Sequence, residues 1–286
     1  MRALVIGWAS FRDGGASAGD VLGMRRVGVA LSAAGMPHDL AWSPACRREG
    51  LAYEEADPAR YSHVVFAGGP VHGWQIREVH RRFAHCSRIA VGVSVDDPDD
   101  ETVAGFEEVL AGAHPGIATP DLAVGAPTDE VLVVGVILGP EPGPVRASVT
   151  KWLAGLDCGR VPLDPRLAAS DWEHCATPDQ FTSILSHLDV AVTTRPDGLV
   201  LGLRAGIPVL AVDPVDGGGA VTAQADALGW PALVPADEAR EPEILDSWWR
   251  WCSSVQGRAV AALRALPVDD GTMRDMLKAL KAGSAG

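Results

Sequence analysis

Arg195 and Asp197 flank Pro196 at the point where the apolar run Asp189–Thr194 ends and a glycine- and leucine-rich helix begins. A guanidinium presents a rigid fork of donors to a phosphate or carboxylate. The first N–H groups of a helix add the positive end of its dipole. Such a turn can grip an anion through Thr194, Arg195, Pro196 and Gly198, with Asp197 as a proton-transfer group. Pro196 suits the first helical position, because an N–H there has no intrahelical partner. The structural alternative is that Asp197 caps the helix and pairs with Arg195.

Two further stretches offer chemistry. In Gly14-Gly15-Ala16-Ser17-Ala18-Gly19-Asp20, residues Gly15, Ser17 and Gly19 form a loop able to bind a substrate. Asp20 can take a proton from a sugar-like hydroxyl, or it can act as a helix cap with no ligand. The loop matches neither GxGxxG nor GxxxxGK[ST]. In Ala67–Trp74, Gly68 and Gly69 offer bare backbone to a ligand, and His72 is either an acid–base group or a solvated loop histidine. His80 and His85 are five apart and do not share a helix face, so no metal site is expected there. Asp96, Asp97, Asp99 and Asp100 read as a solvated acidic turn. The five cysteines are scattered without a CxxC pair and read as free thiols.

These residues need strands to end behind them, and the sequence supplies strands in alternation with helices. Strands are expected at 2–7, 38–42, 63–66 and 89–94, with helices at 18–34, 75–84 and 102–110. The stretch 112–129, rich in Gly, Pro, Ala and Thr, reads as a boundary. A second alternation follows: strand 131–138, a Pro/Gly loop at 139–144, helix 145–156 and strand 160–163. Next come helix 178–188 capped by Thr177, strand 189–194, helix 197–205 and a strand leading to Asp213. A helix to Leu228, strand 231–234, a long helix 241–266 and a short helix 272–282 complete the chain. Trp248, Trp249 and Trp251 should pack the long helix onto the body. Alternation of this kind implies parallel sheets with right-handed crossovers, in domains spanning 1–125 and 130–286.

A net charge of −13 with no basic block argues against nucleic acid as the main partner. No apolar run reaches the roughly 18 residues of a membrane span, and the opening MRALVIGW lacks the features of a signal peptide. A cytoplasmic protein acting on a small molecule or glycan is expected, with homo-oligomerisation left open.

The three stretches together resemble the polysaccharide pyruvyl transferase family. Gly19 and Asp20 match its N-terminal Gly-Asp loop, and VVFAGGP at 64–70 is similar to its strand and glycine turn. DVAVTTRPDGLVLGLRAGIPVLAV at 189–212 resembles its strand, Arg-Leu-His-Gly helix and Gly-x-Pro-Val strand. The likeness runs from residue 3 to about 234. It implies an α/β fold of two Rossmann-like domains facing across a cleft, as in GT-B glycosyltransferases. The first domain would serve the acceptor (Gly15, Ser17, Gly19, Gly68, Gly69) and the second the donor (Thr194, Arg195, Pro196, Gly198). The implied activity is transfer of pyruvyl from phosphoenolpyruvate to a sugar-like hydroxyl, with phosphoenolpyruvate as donor substrate and no cofactor or metal. Asp197, His72 and Asp20 would move protons. The sequence departs from the family at two residues of the donor motif, where Pro196 replaces leucine and Asp197 replaces histidine, and the basic residue after the Gly-x-Pro-Val strand is missing. Two alternatives stand beside this reading. One is a GT-B-like glycosyltransferase, with a donor diphosphate at Pro196 and its ribose at Asp213, Asp216 or Glu238. The other is a diverged member with altered or lost chemistry.

Overall fold

The computed structural model describes residues 1–46, 50–112, 119–140, 142–265 and 271–283. The chain divides into two compact units, Met1–Asp129 and Glu130–Gly286. Residues 113–118 of the expected boundary, residue 141 of the Pro/Gly loop and residue 266 of the expected long helix lie outside the described residues.

In the first unit, β1 (Ala3–Ile6) is buried at every position, as a strand covered on both faces must be. With β2 (His38–Trp42), β3 (Leu51–Ala52), β4 (His63–Ala67), β5 (Ser87–Val93) and β6 (Glu108–Ala111) it forms a six-stranded sheet. All pairings are parallel, in the order β3-β2-β1-β4-β5-β6. The helices are α1 (Ala18–Ala33), α2 (Trp74–Arg82) and α3 (Glu101–Ala104). One buried cluster holds Phe66, Ile76, Val79 and Phe83, and another holds Val5, Met24 and Ala67. Neighbouring residues of β4 thus fall into different clusters, as the alternation of side chains along a strand dictates.

The helix expected over 102–110 is not formed. The short α3 stops at Gly105, whose α-carbon lies under the His80 ring, where a Cβ would come within 2.4 Å. Phe106 is then buried, and residues from Glu108 onward pair with β5 at the sheet edge. Tertiary pairing overrides the helical propensity of Glu-Glu-Val-Leu. The acidic turn before it serves local structure: Asp97 accepts the Asp99 N–H and Asp100 caps α3.

The second unit holds β7 (Val133–Ile137), β8 (Gly159–Pro162), β9 (Val190–Thr193), β10 (Val209–Val212) and β11 (Leu233–Val234). They form a five-stranded parallel sheet in the order β11-β10-β9-β7-β8. Pro162 is tolerated because β8 is an edge strand. The helices are α4 (Pro144–Gly155), α5 (Pro178–Leu185), α6 (Pro196–Arg204), α7 (Ala220–Leu228), α8 (Pro242–Cys252), α9 (Val255–Arg264) and α10 (Thr272–Gly283). Thr177 caps α5 as expected, its side chain accepting the Gln180 N–H.

The long helix expected over 241–266 is two helices. Ser254 interrupts it, its hydroxyl accepting the Gly257 N–H at 3.1 Å as the cap of α9. The break needs Gly257, where a Cβ would meet the Trp251 carbonyl oxygen at 2.3 Å. The tryptophans do pack the body of the unit: Trp249 meets Trp152 edge-on at 6.1 Å and Trp251 meets Trp230 at 5.4 Å between ring centroids. Among the described residues no helix is long and apolar enough to cross a membrane.

Candidate functional site

In an open parallel sheet, the loops leaving the carboxyl ends part where the strand order reverses, and the crevice between them takes the ligand. The first sheet reverses between β1 and β4, and the second between β7 and β9. These two places are where the sequence puts its candidate residues.

On the first unit, Trp8 Nε1 donates to the Pro70 carbonyl at 3.1 Å and joins the loops after β1 and β4. Gly68 and Gly69 have φ of 73° and 70°, the left-handed region open to glycine. A Cβ on Gly69 would strike the Trp8 ring at 2.2 Å, so the turn must stay bare. Ser17 caps α1, and Asp20 stands at the third helical position rather than serving as the cap itself. Asp20 Oδ2 accepts the Ser17 N–H at 2.8 Å and the Ser17 hydroxyl at 2.7 Å, a reciprocal capping arrangement. Among the described residues its Oδ1 makes no hydrogen bond, and it lies beside Gly68 and Gly69.

Ser17, Gly19, Asp20, Gly68 and Gly69 line one cavity of about 270 Å3, together with Ser94 and Asp121. That is slightly below the ~300 Å3 at which pockets for drug-sized ligands begin, so it suits a single sugar-sized group. Two expected residues are not brought in. Gly15 lies in the preceding loop with nothing near its α-carbon on the side-chain face. His72 is exposed, its ring 6.2 Å from that of Trp8, and it does not line the cavity.

On the second unit, Arg195 is the N-cap residue of α6 with Pro196 in the first helical position. Thr194 Oγ1 accepts the Gly139 N–H at 2.8 Å, which ties the turn to the loop after β7. Gly198 is buried, and a Cβ there would meet Thr193 Oγ1 at 2.2 Å. Arg195 and Asp197 form a two-pronged pair, Nε to Oδ1 at 2.9 Å and Nη2 to Oδ2 at 2.7 Å. Asp197 Oδ1 also accepts the Gly198 N–H at 2.9 Å. The Arg195 hydrogen bonds, more than burial opposes them, hold the Asp197 carboxyl below its ordinary range. Asp197 is therefore an ionised acceptor that fixes Arg195, and among the described residues the Arg195 Nη1 has no hydrogen-bond partner.

The expected ribose ligand Asp213 cannot serve as one. It is fully buried, and its carboxylate accepts from the N–H groups of Val215, Gly219 and Thr222 and from the Thr222 hydroxyl. Burial pushes this carboxyl up, but those hydrogen bonds outweigh burial and leave it lowered. Asp216 and Glu238 are exposed, on the segments that leave β10 and β11 at the same edge as Arg195.

Sequence reasoning missed a group on the loop after β8. His174 Nδ1 lies 2.7 Å from Asp171 Oδ2, and its Nε2 is 3.8 Å from Asp164 Oδ2. Asp164 takes two bonds from Arg166, at 2.9 and 2.6 Å, which bring its carboxyl down to about 2. Asp164 also acts electrostatically on Arg195. The only sequence signal was the Asp-x-x-His spacing of 171–174, in a stretch without periodicity.

No protein-family model matches the chain, and no curated protein sequence matches it. The pyruvyl transferase resemblance therefore rests on the residues that carry it. Among solved structures the chain is similar to CalG4, the calicheamicin glycosyltransferase, with 15% identity, 100% of this chain and 99% of that one covered, and a TM-score of 0.36. It is similar to the E. coli heptosyltransferase WaaC with ADP, with 13% identity, coverage of 92% and 100%, and a TM-score of 0.31. The glycosyltransferase SnogD from Streptomyces nogalater gives 15% identity, coverage of 93% for both chains, and a TM-score of 0.31. With TM-scores below 0.5, these likenesses decide neither substrate nor reaction.

Proposed function

We propose that the protein is a glycosyltransferase-type enzyme. The Arg195 turn of its second unit binds a nucleotide-diphosphate sugar, and the Asp20 cavity of its first unit binds a hydroxyl acceptor. The observation that carries this reading is the Arg195–Asp197 pair. Pyruvyl transfer from phosphoenolpyruvate protonates the enol methylene and expels phosphate, so it asks the residue at 197 for a proton. An aspartate held ionised by two bonds from Arg195 has none to give.

Glycosyl transfer asks less of position 197. Arg195 has only to stay fixed at the N-terminal end of α6, whose dipole favours an anion. Thr194, Pro196 and Gly198 hold that turn in place, and Asp216 and Glu238 reach the donor's ribose. Asp20 Oδ1 takes the acceptor's proton, the acceptor oxygen bonds to the anomeric carbon, and the bond to the diphosphate breaks. The nucleoside diphosphate leaves with the electron pair.

Pyruvyl transfer remains the second reading, because the strand, arginine and glycine at 189–198 follow that family's motif in register. Thermal shift and calorimetry with UDP-, GDP-, ADP- and dTDP-sugars beside phosphoenolpyruvate separate the two. A nucleotide sugar should stabilise the wild type and fail to stabilise Arg195→Ala. Binding of phosphoenolpyruvate alone, with phosphate release on adding glycans, overturns the glycosyl reading. Binding of none overturns both.

A further inference from the structure

The residue at 197 supplies no proton, yet any donor that expels a phosphate gains from an acid beside the leaving oxygen. The second unit carries an imidazole on the segment that leaves β8 at the same sheet edge. His174 lines a cavity of about 390 Å3 with Leu138, Arg146, Asp164 and Glu173. The loop holding it is closed by the Ala168 N–H donating to the Cys175 carbonyl at 3.0 Å. Inside that closure the His174 N–H donates to the Asp171 carbonyl at 3.2 Å. The Asp171 carboxylate fixes Nδ1 at 2.7 Å. Among the described residues Nε2 makes no hydrogen bond, and Asp164 Oδ2 lies 3.8 Å from it. One nitrogen held by a carboxylate and the other left open is the arrangement in which an imidazole moves protons.

We infer that His174, oriented by Asp171, is the acid that protonates the leaving phosphate of the donor. This rests on the proposed donor site at Arg195. In the step, the bond from the donor carbon to the bridging oxygen breaks and the electron pair goes to that oxygen. The proton on His174 Nε2 passes to the leaving phosphate, and His174 is reprotonated from solvent afterwards. The charged groups around it are Asp171 and Glu173 on its own loop, Asp164 just after β8 with its partner Arg166, and Arg146 from α4. Asp164 links the acid to the anion grip electrically, since it stands by His174 and also acts on Arg195.

The test uses the full chain and the donor selected by the screen above, with UDP and inorganic pyrophosphate as binding probes. His174→Gln should lower kcat about 10²- to 10⁴-fold, the range for loss of a general acid, with donor affinity within about three-fold. The wild-type rate should fall on the alkaline side as His174 loses its proton, and the variant should lose that limb. Asp171→Asn should keep the limb and lower the rate less. In the wild type, pyrophosphate should shift the His174 imidazole nitrogen resonances, and Arg195→Ala should abolish that shift. A variant that binds and turns over as wild type, or loses affinity and rate together with an unchanged pH profile, overturns the acid role while leaving the donor site standing. If no donor binds in an Arg195-dependent way, the donor site itself fails and the inference falls with it.

Discussion

Thr193 reaches across the end of its strand to Arg195: its Oγ1 accepts the Arg195 N–H at 3.0 Å while donating to the Ile137 carbonyl at 2.8 Å. One hydroxyl thus joins the end of β7, the end of β9 and the cap of α6. The arginine proposed to hold the donor is fixed from behind by the Thr193 hydroxyl.

Removing that hydroxyl should therefore weaken both stability and binding. Thr193→Val keeps the shape but leaves the Arg195 N–H without its acceptor, while the Ile137 carbonyl keeps the Thr194 N–H, at a cost of about 1–3 kcal/mol. Gly198→Ala presses a methyl into the same hydroxyl and should cost a similar ~1–3 kcal/mol. Urea denaturation reads the first effect, and a loss of nucleotide affinity at unchanged fold reads the displacement of Arg195. Wild-type stability in both variants would contradict this account.

Arg195→Lys should lower affinity for the diphosphate probe about 10-fold or more. A lysine lacks the planar fork that holds Asp197 by two parallel bonds while aiming a further donor outward. Asp197→His should do the opposite for phosphoenolpyruvate, raising its affinity by removing a fixed negative charge. Isothermal titration of both ligands against both variants gives the answer. A histidine variant no better at binding phosphoenolpyruvate would show that residue 197 is not what bars that donor.

Ser17 and Asp20 share a capping arrangement but should separate under mutation. Ser17→Ala should cost about 1 kcal/mol of stability and leave turnover within a few-fold. Asp20→Asn should lower kcat about 10²- to 10⁴-fold as the base is lost, with only a modest change in melting. Equal losses of activity in the two variants would assign Asp20 to structure alone.

Asp213 should set part of the acid limit of folding. Its carboxyl is lowered in the folded protein from an ordinary 3.8, so its stabilisation is complete above about pH 4 and is lost as pH falls through the lower folded value. Asp213→Ala leaves buried donors at Val215, Gly219 and Thr222 unpaired and should cost about 3 kcal/mol at neutral pH. Its loss of stability between pH 5 and 2 should be shallower than the wild type's, as denaturation across that range would show.

The strands legible in the sequence were the unbroken apolar runs such as Ala3–Ile6 and Val190–Thr193, because burial on both faces leaves no other pattern. Glu108–Ala111 was not legible: its sequence is helical by propensity, and only pairing with β5 and the His80 ring over Gly105 make it a strand. The break at Ser254 was hidden because apolar spacing continues through it, although a serine three residues before a glycine was the available sign. Asp20, Gly68 and Gly69 could be found by type and do share a cavity. His72 could be named from the same loop, but its exposed ring lies outside that cavity. Asp171 and His174 lie in an aperiodic loop, where nothing local announces which side chains face a cavity.

The floor of the first unit's cavity is main chain. A side chain at Gly69 would enter the Trp8 ring, and one at Gly92 would meet Leu122 at 2.5 Å. Its rim, in contrast, is made of side chains on loops, Ser17, Ser94, Asp121 and Leu122 among them. Libraries aimed at the floor will return mostly misfolded chains, whereas libraries aimed at the rim can change what the cavity accepts. The protein is thus a fixed platform with an exchangeable border, and divergence among its descendants should be written in that border.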